Sequence, residues 1–117
     1  MPTPPAFSTL RTSIAGIPVS DLVGQFGTPT YVYDAEMILR RLGDLSVFDA
    51  VRYAQKACSN LAILDLLRRG GAMVDAVSAG EIRRAMAAGF VAEGSPPPIV
   101  YTADVFDAEA LDLCVEH

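Results

Sequence analysis

The sequence predicts an α/β fold, the N-terminal part of a (β/α)8 barrel, on three observations. Strand-then-helix units repeat beyond Phe48, with strands expected at Ala50 to Ala54, Met73 to Val77 and Ile99 to Ala103. Each apolar run is followed by a capping residue and an amphipathic stretch, an alternation that implies a parallel sheet covered by helices. The last helix runs into Val115-Glu116-His117 without a glycine, proline or polar tail to end it. A closed barrel takes about 250 residues, so three units cannot form one. The chain is therefore expected to be either a small open α/β domain or the first part of a larger barrel, and the unterminated helix favours the second.

Each element has its own warrant. Residues 1–27 are rich in proline, serine, threonine and glycine and read as an arm, with a short helix at Pro18 to Phe26. Thr30-Tyr31-Val32-Tyr33 has the β-branched and aromatic character of a strand. Asp34 is placed to cap a helix in which Met37, Ile38, Arg41 and Leu42 share a face before Gly43. Residues 28–117 are expected to form the partial barrel domain. Within it, Ser59 or Asn60 caps a helix from Leu61 to Arg69, with Leu64 and Leu67 towards a core and Gly70-Gly71 as the stop. Ser78-Ala79-Gly80-Glu81 has capping-box spacing ahead of Ile82, Ala85 and Met86. Asp107 caps the helix that passes through Leu111 and Val115.

Composition narrows the functional classes. Half of the 117 residues are hydrophobic and 20% are charged, the balance of a globular domain. The net charge is −5, with arginines scattered singly or in pairs, which gives no basic face for nucleic acid or acidic lipid. Cys58 and Cys114 form no CxxC, and the one histidine is His117, so no zinc-type spacing exists and no metal is expected. Both cysteines are expected to be reduced thiols. The N-terminus lacks a basic region followed by an apolar stretch, and no run approaches a membrane span, so the expected location is the cytoplasm.

Lys56 is the only lysine among the nine basic residues. Arginine suits solvation and ion pairing, whereas a lysine amine can lose its proton and attack a carbonyl. A lone lysine just past a strand is a candidate Schiff-base nucleophile, although the count alone favours the reading that an arginine-biased composition left it by chance on a loop. Ligands of parallel α/β folds gather at the C-terminal ends of strands, where Lys56 falls. Asp75 interrupts an apolar strand, where an unpartnered carboxylate costs several kcal/mol. It either meets the Lys56 loop across neighbouring strands or points to water at the strand's end. Ser78, Thr102 and Asp104 sit at strand ends and serve as pocket residues or as caps and turns. Arg40-Arg41, Arg68-Arg69 and Arg83-Arg84 lie late on helices, where they complement the dipole and solvate the surface. No GxGxxG, GxxxxGK[ST] or GxSxG motif occurs, which removes the usual support for dinucleotide, nucleotide-triphosphate and serine-hydrolase chemistry.

Three segments carry a family resemblance. Tyr53-Ala54-Gln55-Lys56-Ala57-Cys58-Ser59-Asn60, Val74-Asp75-Ala76-Val77-Ser78-Ala79-Gly80-Glu81-Ile82 and Ile99-Val100-Tyr101-Thr102-Ala103-Asp104 together resemble the bacterial diaminopimelate decarboxylase family. Gly27-Thr28-Pro29-Thr30-Tyr31-Val32-Tyr33-Asp34 is similar to the same family's lead-in, so the resemblance extends over residues 20–117. It implies a fold-type III pyridoxal-phosphate enzyme with an alanine racemase/ornithine decarboxylase-like barrel, a C-terminal β domain and a homodimer with sites at the subunit interface. It also implies removal of carbon dioxide from meso-2,6-diaminopimelate to give L-lysine. By this resemblance Lys56 matches the catalytic lysine that holds pyridoxal 5'-phosphate, and Ala54 and Asp75 join it as cofactor-binding candidates. The family's glycine-rich phosphate loop, its glutamate facing the pyridine nitrogen and its substrate-carboxylate arginines have no counterpart in these residues. The isolated 117 residues are therefore expected to bind the cofactor weakly and to be inactive. Alternatives are an ornithine or arginine decarboxylase, an alanine racemase, a non-catalytic cofactor-binding module or an unrelated open α/β domain; Gln55 and Cys58 beside Lys56 favour diaminopimelate.

Overall fold

The structure, a computed structural model, describes residues 10–91 and 93–116, so His117 and the proline-rich start lie outside the described residues. The chain divides into two compact units between Glu36 and Met37. In the first, β1 (Ser13–Ile14) and β2 (Ile17–Pro18) pair antiparallel, with Ser13 opposite Pro18. Ala15 and Gly16 both take positive φ, 49° and 79°, the combination that matches a two-residue turn to the strands' right-handed twist. Helix α1 (Val19–Phe26) follows directly, its first N–H donating to the Thr12 carbonyl at 2.9 Å. The helix expected at Pro18 to Phe26 is present, ended by Gly27 at φ 75°.

Thr30 to Tyr33 departs from expectation: it joins no ladder among the described residues, and Tyr31 is 90% exposed. β-propensity expresses fitness for a pleated, half-buried surface, and here no neighbouring strand supplies one.

The second unit contains the regular pattern. Helix α2 (Ala35–Gly43), which begins next to Asp34, sets Ile38 and Leu42 against Ile63, Leu67 and Ala72. Next come β3 (Arg52–Ala54), a 3-10 turn (Gln55–Ala57), α3 (Leu61–Arg69), β4 (Met73–Ala76), α4 (Ala79–Ala87), β5 (Ile99–Tyr101) and α5 (Ala108–Glu116). The strands lie parallel in the order β3-β4-β5, with Ala54 opposite Asp75 and Asp75 opposite Val100. This is the parallel α/β sheet predicted from the alternation, built from three successive strand-helix units.

The strands are shorter than the apolar runs that mark them, for identifiable reasons. The Val77 N–H leaves the ladder to donate to Glu81 Oε2 at 2.8 Å, while Ser78 Oγ accepts from the Glu81 N–H at 3.2 Å. This reciprocal cap starts α4. Asn60 caps α3, its Oδ1 accepting from Ala62 N–H at 2.9 Å. Asp107 Oδ1 accepts from Ala110 N–H at 2.7 Å and starts α5.

One face of the sheet carries the core. Tyr53, Val74, Ala76, Ile99 and Tyr101 alternate along their strands and meet Leu64 of α3, Ile82 and Ala85 of α4, and Ala110 and Leu113 of α5. Leu64, fully buried, contributes about 2 kcal/mol by leaving water. On α5, Ala110 turns inward while Leu111 and Val115 are exposed. The arginine pairs do more than solvate. Arg68 Nε donates to the Ala88 carbonyl at 3.0 Å and Arg84 Nη1 to the Ser59 carbonyl at 3.0 Å, tying α3 and α4 to each other's ends.

Candidate functional site

Period-2 alternation sends Arg52, Ala54, Met73, Asp75 and Val100 to the face opposite the helices. All five are half-buried, against the complete burial of Val74 and Ala76 on the helical face. Ala54, Asp75 and Val100 form one row across this second face, at the C-terminal end of the sheet. Asp75 thus lies in register with the strand that leads into Lys56. Its Oδ1 accepts a hydrogen bond from Thr102 Oγ1, just past β5, so the carboxylate has a partner at the end of the neighbouring strand. Ser78 serves α4 as a cap, and Asp104 is exposed beyond β5.

Lys56 occupies the middle of the 3-10 turn that leaves β3, and it is exposed. Its neighbours are held firmly. The Gln55 carbonyl accepts from Cys58 N–H and Ser59 Oγ, each at 3.1 Å. Tyr53 Oη donates to the Cys58 carbonyl at 3.1 Å. Burial raises the Tyr53 hydroxyl pKa above its usual value, and the Cys58 side chain adds to that, against a smaller lowering from the Cys58 backbone. Gln55 is wholly buried, and its Nε2 donates to the Glu81 carbonyl in the first turn of α4 at 2.8 Å. The turn bearing Lys56 is therefore bonded along itself and clamped to the next unit.

Sequence reasoning left Gln55 and the Asp75–Thr102 pairing out of the candidate site. A glutamine after a strand gives the same signal as an exposed loop residue, and Thr102 could be read equally as a turn former. Cavities elsewhere do not mark this region. A hollow of about 220 Å³ beside Ile82, Met86 and Leu113, and another of about 410 Å³ at the strands' opposite ends beside Val51 and Met73, include none of Lys56, Ala54 and Asp75.

A lysine on a rigid turn at the C-terminal end of a parallel strand, with a carboxylate on the adjoining strand, defines an α/β segment of the kind that holds small ligands through strand-end groups. The chain belongs to the pyridoxal-dependent decarboxylase family: residues 37–117 match the model of its pyridoxal binding domain. It is 52% identical over 95 residues to the diaminopimelate decarboxylase of Escherichia coli K12, covering 81% of this chain and 23% of that protein. It is also 52% identical over 92 residues to the diaminopimelate decarboxylase of Streptomyces coelicolor, covering 79% and 21%. Among solved structures, a diaminopimelate decarboxylase superposes with a TM-score of 0.79 at 50% identity, over 84% of this chain and 23% of the other. The M. jannaschii diaminopimelate decarboxylase, solved in complex with L-lysine, gives 0.72 at 29% identity over 89% and 26%. The chain thus spans about a quarter of the proteins it matches. No helix among the described residues is long and apolar enough to cross a membrane.

Proposed function

We propose that this chain is the cofactor-anchoring part of a pyridoxal 5'-phosphate-dependent carboxy-lyase that converts meso-2,6-diaminopimelate to L-lysine and carbon dioxide, a step of lysine biosynthesis. Residues 28–117 contribute to its barrel domain and residues 1–27 form an arm. The observation that carries this reading is the placement of the only lysine on the turn after β3, inside the segment that matches the pyridoxal binding domain.

The residues present fit the cofactor. Its aldehyde needs a primary amine, and Lys56 offers an exposed one. The Ala54 methyl leaves room on the half-buried sheet face, and Asp75 sets a carboxylate beside it in register. When bound, the pyridoxal ring supplies an electron sink for the carbanion left by loss of carbon dioxide. Lys56 would hold the group covalently through Nζ, the one primary amine that a lysine of this sequence supplies. Asp75, held by the Thr102 hydroxyl, presents a fixed counterion for a cationic group of the cofactor or substrate. The clamped turn fixes the backbone that carries Lys56, which would lower the ordering cost of holding the cofactor.

Net charge −5 supports a small amino-acid substrate rather than nucleic acid as partner. The family resemblance supports a cytoplasmic homodimer for the full-length protein. The full-length protein, supplied with pyridoxal 5'-phosphate and meso-diaminopimelate, is expected to release carbon dioxide and L-lysine in equal amounts, while the isolated 117 residues yield none. Turnover of ornithine or arginine, or racemisation of alanine, with diaminopimelate left intact would transfer the reading to another member of the fold.

A further inference from the structure

We infer that Gln55 is a positioning residue for Lys56, fixing the lysine's turn to α4 through its side-chain amide. The inference rests on the reading of Lys56 as cofactor anchor and names the part of the chain that aims it. Three observations converge on Gln55. Its side chain is wholly buried, the only polar residue in that state among the described residues. Its Nε2 reaches across to the Glu81 carbonyl at 2.8 Å, while its own carbonyl gathers Cys58 N–H and Ser59 Oγ at 3.1 Å. Its Oε1 is buried without a hydrogen-bond partner.

These facts separate positioning from stability. A buried amide with one unsatisfied oxygen is a poor stabiliser, because the desolvated acceptor offsets what the N–H gains. An apolar side chain of similar volume would serve the core as well or better. The Glu81 carbonyl loses little when Nε2 is removed, since it lies in the first turn of α4 and is an acceptor for the helix's own N–H groups. The distinctive product of the Gln55 amide is directional: it pins one end of a three-residue turn whose next residue is Lys56. Glu81, the residue addressed, is itself fixed by its double link to Val77 and Ser78, so the clamp has a rigid anchor.

The test compares full-length wild type with Gln55→Met, and with Gln55→Leu as a second apolar variant. The expected result is an unchanged or higher melting temperature in at least one variant. That variant should also show about fivefold faster amide hydrogen exchange at Cys58 in the cofactor-free protein, the opening expected from losing one neutral hydrogen bond. After addition of pyridoxal 5'-phosphate and borohydride, the rate of reduced adduct formation on Lys56 should fall by a similar factor, and the pH profile of the bound cofactor's absorbance should shift. A melting temperature that falls in both variants, with exchange rising uniformly across β3, α3 and α4, would make Gln55 structural and overturn the inference. So would wild-type exchange, trapping rate and pH profile in a stable variant. If wild type forms no adduct on Lys56, the anchor reading fails and this inference with it, a result distinct from equal trapping in wild type and variant.

Discussion

The two faces of the parallel sheet are built from alternate residues of the same three strands and have opposite characters. On the helical face, Tyr53, Val74, Ala76 and Ile99 meet a close-packed layer of leucine, isoleucine, alanine and phenylalanine. On the other, Arg52, Ala54, Met73, Asp75 and Val100 are half-buried and mixed in chemistry, and the row at the C-terminal end leads to Lys56. Parallel sheets are stable when both faces are covered. A face that mixes a methyl, a carboxylate and a guanidinium is suited to the interior of a larger barrel, with its ligand end open. Stability is concentrated on the first face and the proposed cofactor site on the second, although neighbouring residues supply both.

Substitutions on each face should therefore separate the two properties. Leu64→Ala, on the helical face, is expected to destabilise the protein by about 3 kcal/mol, with cofactor affinity preserved while the protein stays folded, as chemical denaturation and cofactor titration would measure. Asp75→Asn keeps an oxygen to accept from Thr102 and removes only the charge. It should leave stability within about 0.5 kcal/mol and weaken cofactor binding several-fold, and a stability loss matching that of Leu64→Ala would erase the distinction between the faces. Ser78→Ala removes the hydroxyl that caps α4 and should cost about 1 kcal/mol, readable as a shifted denaturation midpoint.

The smallest effects concern pH. The Asp65 carboxyl is held below its ordinary pKa first by the hydrogen bond from Arg68, then by that from Arg69. Its contribution is present above the ordinary carboxylate pKa of about 4 and is lost as pH falls through the lowered folded value. Tyr53 runs the other way. With its folded pKa raised, chiefly by burial, its contribution is complete below about pH 10 and is lost as pH rises through the folded value. Tyr53→Phe should flatten the alkaline limb of a stability-against-pH curve, and Asp65→Asn the acid limb.

Much of the sheet was legible in the sequence because the three helices that follow its strands each start on a capping residue beside an amphipathic run. Ser78 with Glu81, Asn60 and Asp107 all perform as caps, and the α3 limits agree with those read from Leu61 and Arg69. Thr30 to Tyr33 was misread because strand character is realised only against a neighbour, which propensity cannot supply. The β1–β2 hairpin was missed because two-residue strands give almost no alternation to read. At the candidate site, Lys56 stands out as the only lysine, just past a strand, and Asp75 as a carboxylate inside an apolar run; both fall at the C-terminal end of the sheet. Gln55 gave no such signal: its burial depends on α4, which follows more than twenty residues later in the chain.

The most direct test of the central claim is covalent mapping. The full-length protein would be incubated with pyridoxal 5'-phosphate, reduced with borohydride, digested and analysed by mass spectrometry beside Lys56→Ala. The account predicts the reduced adduct on the peptide containing Lys56 and its disappearance in the variant. An adduct on another lysine, or a cofactor absorbance band with no covalent adduct, would contradict it.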